Sequence, residues 1–122
     1  MLSATNASAA ELPARCRAEI TFDANDRDRE EAEFMRSKIE AANLPAKLTV
    51  LTPFAAAFAP HPAKMAWSIT QSEWDAWRTA VEQLEPGLRG VLRKHARDIR
   101  AHYALGNDRP RARYWACVQA SF

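Results

Sequence analysis

Cys16, Ala18, Ile20 and Phe22 alternate with Arg15, Arg17, Glu19 and Thr21, and a period of two predicts a strand with one buried face. Asp23-Ala24-Asn25-Asp26 is rich in helix-capping residues and opens a charged segment in which Ala32, Met35, Ile39 and Ala42 share one helical face. Phe34 stands at the edge of that face, and the turn Asn43-Leu44-Pro45 stops the helix. Residues 46–51 read as a second short strand. Residues 53–62, Pro-Phe-Ala-Ala-Ala-Phe-Ala-Pro-His-Pro, read as a loop with at most one helical turn. Residues 64–69 give a third strand, with Met65, Trp67 and Ile69 on one face.

The best-specified boundary follows. Thr70-Gln71-Ser72-Glu73 has the form of a capping box, flanked by Ile69 and Trp74 at the two positions of a hydrophobic staple. Trp74, Trp77, Ala80, Val81 and Leu84 line one side of the helix that follows, and Pro86-Gly87 ends it. A third helix is predicted over residues 88–105, with Leu88, Val91, Leu92, Ala96, Ile99 and Tyr103 on its inner face. Gly106-Asn107-Asp108 terminates it. In residues 112–122, Tyr114, Ala116, Val118 and Ala120 alternate with Trp115, Cys117, Gln119 and Ser121, which predicts a closing strand.

The expected order is β-α-β-β-α-α-β after a loose, disordered tail at residues 1–13, with a single α+β domain over residues 14–122. That order suggests a ferredoxin-like plait: a four-stranded antiparallel sheet, helices on one face, and an extra helix before the last strand. At 122 residues, 48% of them hydrophobic and 26% charged, the chain suits one ordinary globular domain. No apolar run approaches the roughly 20 residues needed to span a bilayer, and residues 1–13 lack the basic start and apolar centre of a signal peptide. The expectation is a cytoplasmic protein without membrane contact. Cys16 and Cys117 match no metal spacing and read as buried free thiols. A disulfide between them requires neighbouring backbone with matched side-chain direction, and an oxidising compartment.

Charge sharpens the picture. Residues 88–113 hold eight basic and two acidic side chains, a net +6, whereas the rest of the chain holds nine basic and thirteen acidic, a net −4. On a helical projection Arg89, Arg93, Arg97 and Arg100 fall within about 80°, an array roughly 16 Å long. Arg109, Arg111 and Arg113 extend it into the last predicted strand. There Arg113 and Trp115 would share a sheet face with Arg15 and Arg17, forming a platform for a stacked base and its phosphate. Arginine suits this because its planar donors grip phosphate bidentately and its charge does not titrate away.

No catalytic or metal site is expected. The three glycines (Gly87, Gly90, Gly106) form no phosphate loop. His95 and His102, seven apart, read as half-buried residues beside the core, and His61 as an exposed loop residue. The carboxylates of the first helix (Asp26, Asp28, Glu30, Glu31, Glu33, Glu40) are interleaved with Arg27, Arg29, Arg36 and Lys38, the pattern of a solvated face. The function expected is therefore non-enzymatic nucleic-acid binding without a cofactor, through Arg89, Arg93, Arg97, Arg100, Arg109, Arg111, Arg113 and Trp115. The third strand, Lys-Met-Ala-Trp-Ser-Ile-Thr, lacks the aromatic pattern of an RNA-recognition motif. Two alternatives stand beside that reading. The arginines could be neutralised by the acidic first helix, or could dock an acidic protein. Phe54 and Phe58 could cover the core, or could anchor a protein partner or a homodimer.

Overall fold

The computed structural model describes residues 11–42 and 64–122. The expected strand at 46–51 and the aromatic pair Phe54 and Phe58 lie outside these residues, as does His61. The described elements are a 3-10 turn (Ala14–Cys16), β1 (Ile20–Asp23), α1 (Asp26–Ala41), β2 (Lys64–Trp67), α2 (Gln71–Val81), α3 (Pro86–Leu105) and α4 (Arg109–Ala120).

β1 and β2 form a two-stranded antiparallel sheet, with Ile20 opposite Trp67 and Phe22 opposite Met65. It is the one sheet among the described residues. The four-stranded ferredoxin-like plait is therefore wrong: these residues are about 68% helical, and the expected last strand is α4. The physical reason lies in which side chains are buried. Tyr114, Trp115, Cys117 and Val118 are all inaccessible, the i, i+1, i+3, i+4 spacing of a helix and not the period of two that was read there. The helix start is also marked. Asp108 is the N-cap, its carboxylate accepting from the Arg111 amide, and Pro110 sits in the first turn, where a missing N–H costs nothing.

Other boundaries follow their local chemistry. Asn25 caps α1 through a reciprocal capping box with Asp28. Thr70 and Glu73 form the expected capping box on α2. α1 buries Ala32, Met35 and Ile39, with Phe34 half-buried. α3 buries Leu92, Ala96 and Ile99, whereas Val91, expected on that face, is exposed. The corner between α3 and α4 is Gly106-Asn107-Asp108, with Asn107 in the left-handed region at φ 63°, a conformation asparagine tolerates better than most residues.

α4 lies at the centre of the packing, against α3, β1 and the 3-10 turn. Tyr114 meets three rings edge-on: Phe22 and Trp115 at 5.2 Å and Trp67 at 6.3 Å between centroids. Burial, reinforced by the Asp28 carboxylate, pushes its phenol well above the ordinary value of 10.0. Cys16 and Cys117 are joined by a disulfide with Cα atoms 5.8 Å apart, so the expectation of free thiols is also corrected. The turn and the helix that bear them are brought side by side, and Trp67 Nε1 donates to the Cys16 carbonyl at 2.7 Å. Among the described residues no helix is long and apolar enough to cross a membrane.

Candidate anion-binding groove

The eight residues expected to form a nucleic-acid surface divide into two groups. Arg111 and Trp115 belong to the interior. Asp28 is fully buried, yet its carboxylate accepts from the Asn25 amide at 3.0 Å, from Arg111 Nε at 2.8 Å and from Trp115 Nε1 at 3.0 Å. Arg111 also pairs with Asp108 and lies 4.9 Å over the rings of both Phe22 and Tyr103. Burial works against its positive charge, but the hydrogen bond to Asp28 and the charges of Asp28 and Asp108 outweigh this and raise its pKa. Trp115 has no accessible surface. It offers no stacking platform because positions 113 and 115 sit about 200° apart on a helix, not on one face of a strand.

Of the remaining cations, Arg93, Arg100 and Arg113 line the seam of α3 and α4. A groove of about 710 Å³ there is lined by Arg15, Arg78, Arg93, Arg100 and Arg113, together with Gln119 and Phe122, and no aspartate or glutamate is among its lining residues. Alanines 104, 112, 116 and 120 form part of its wall and leave it open. Two arginines are fixed by the chain itself. Arg78 Nη1 donates to the Ser121 carbonyl at 2.9 Å, and Arg93 Nη2 to the Phe122 backbone oxygen at 2.7 Å. Arg100 is half-buried, and its Nε is shielded from solvent without a hydrogen-bond partner. Burial is the main influence on Arg78, opposed by Glu82 but joined by the charges of Arg89 and Arg93, and it lowers that guanidinium below its ordinary value. Crowding of like charge is thus built into this face.

Smaller hollows continue the groove at either end. One adds Lys94 and Arg97 and shares Arg93 and Gln119 with it; the other adds Arg109 and Asp108 and shares Arg113. Asp108 is already engaged by Arg111. Arg97 has Asp98 at 3.5 Å, but that carboxylate is also held by Lys94 at 2.8 Å. Arg89 is half-buried beside Arg78, its Nε also shielded without a partner. The alternative in which α1 neutralises the arginines holds for Arg111, through Asp28, but among the described residues no α1 carboxylate pairs with an arginine of α3. α1 reaches α3 through His95, whose Nδ1 lies 3.1 Å from Glu31 while its ring tilts over Phe34 at 4.3 Å. His95 is half-buried as expected, and His102 is exposed.

Sequence reasoning missed Arg78 and Gln119 as members of the groove. Arg78 follows Trp74 by one helical turn and lies 5.9 Å over its ring, so its place beside the core was the available signal. Arg17, expected near Arg113, instead pairs with Glu11 at 3.1 Å. The chain matches no protein-family model, no curated protein and no solved structure.

Proposed function

We propose that this protein is a non-enzymatic binder of nucleic acid that lays the phosphate backbone along the α3–α4 seam. The observation that carries the reading is the groove's charge: five guanidiniums line it and no aspartate or glutamate side chain does. Unmatched cations in a concave, partly desolvated site raise the local potential and attract polyanions. With Trp115 in the core, no exposed aromatic joins the arginines among the described residues. Contacts would therefore run to phosphates, which position a strand without reading its sequence.

The disulfide bears on compartment. A bonded Cys16–Cys117 pair favours an oxidising compartment over the cytoplasm expected from composition.

Fluorescence anisotropy with a labelled single-stranded oligonucleotide over a salt series tests the reading. Affinity should fall steeply with salt. Arg100→Gln with Arg113→Glu should weaken binding at least tenfold and flatten the salt slope by roughly 1.5, at about 0.7 to 0.9 per lost phosphate contact. Arg93 and Arg78 are left intact because they hold the last residues of the chain. Unchanged affinity in a variant with wild-type near-UV circular dichroism removes the groove from consideration.

A further inference from the structure

Resting on that reading, the groove's charge density narrows the ligand. We propose that its centre is a subsite for a phosphate group carrying more than one negative charge, a phosphomonoester or a pyrophosphate, in preference to an internal phosphodiester.

Four separate segments converge there: Arg15 comes from the 3-10 turn, Arg78 from α2, Arg93 and Arg100 from α3, and Arg113 from α4. Such convergence differs from a solvated stripe on one helix, whose charges face open water side by side and do not surround a common point. An internal phosphodiester brings a single charge. A terminal phosphate brings close to two and a pyrophosphate more, together with additional acceptor oxygens in the same volume. The cationic site is also partly preorganised. Arg78 and Arg93 each give one N–H group to a backbone oxygen, which fixes the guanidinium and leaves its other donors for a ligand. The shielded Nε of Arg100 is a donor still to be satisfied, and an unsatisfied buried donor is costly until it finds an acceptor. The disulfide adds to this order by tying Cys16, next to Arg15, to Cys117, one turn beyond Arg113.

The test compares one single-stranded oligonucleotide with and without a 5′-phosphate, using the oxidised full chain, with inorganic pyrophosphate and sulfate as competitors and calorimetry for direct binding. The expected result is that the 5′-phosphate tightens binding about tenfold, as one or two added charge-assisted hydrogen bonds would, and that pyrophosphate displaces the strand well before sulfate does. Arg100→Gln with Arg113→Gln should abolish the 5′-phosphate preference. If pyrophosphate binds while the 5′-phosphate adds nothing, the subsite stands and its ligand is a free phosphorylated solute. If the strand binds equally with either end and pyrophosphate competes no better than sulfate, the subsite is overturned while polyanion binding survives. If neither strand nor pyrophosphate binds, both proposals fall.

Discussion

Arg111 and Arg113 stand two positions apart on α4 and meet opposite surroundings. Arg111 is 13% exposed at its side chain and bound to two aspartates. Arg113 is exposed in a groove whose lining holds no aspartate or glutamate. The first arrangement is what a buried charge requires. Asp28 and most of Arg111 are removed from water, and their mutual pairing, the Asn25 and Trp115 donors to Asp28 and the Asp108 carboxylate on Arg111 offset the desolvation cost. The second contributes little to folding, because like charges gathered at a surface repel. A cluster that no aspartate or glutamate side chain neutralises is a candidate for a binding role, whereas a cluster satisfied at home is not. The contrast separates residues that the sequence places in one basic block.

The largest effect should come from breaking the satisfied side. Asp28→Ala leaves the Arg111 cation and the Trp115 N–H without their buried acceptor and should cost about 3–5 kcal/mol, read as a shift in the urea midpoint. A loss under about 1 kcal/mol would mean that water replaces the carboxylate and that the two regions differ less than their geometry implies. Next comes Cys16→Ser with Cys117→Ser, expected to cost about 2–4 kcal/mol by freeing a long loop in the unfolded chain. This change touches both regions, since it also unties Arg15 from α4, so oligonucleotide affinity should fall along with stability. The smallest effect belongs to the unmatched side. Arg100→Gln with Arg113→Gln should leave stability within about 0.5 kcal/mol, or raise it slightly as repulsion is relieved. A loss above about 2 kcal/mol would show those arginines to be structural.

What could be read from the sequence follows from the range of the interactions involved. The capping box at Thr70–Glu73 and the buried face of Ala32, Met35 and Ile39 are set by residues three or four apart, and both formed as expected. The strand segments around Ile20 and Trp67 also formed, although shorter than expected. The period of two fails for α4 because Trp115 and Cys117 are as apolar as their neighbours, so the run is apolar on consecutive positions. The Asp108–Pro110 start signal would have decided against it. The fate of Arg111 and Trp115 was not legible in the same way. Their partner Asp28 lies 83 and 87 positions away, beyond any local pattern. The groove was legible in part. Arg93 and Arg100 were placed on one helical face, whereas Arg78, Arg15 and Arg113 reach it only through the packing of α2, the turn and α4 against α3.

The three-residue corner at Gly106–Asp108 joins two helices that are each tied to the remainder of the fold. Because each residue advances a helix by about 100°, a single insertion there would turn α4 as a screw. Such a turn would carry Trp115 and Arg111 off Asp28 and would swing Arg113 toward the interior. Exchanging one side chain for another at the corner disturbs a local bend, whereas changing its length misaligns everything downstream. The spacing of that joint is therefore under tighter constraint than its composition.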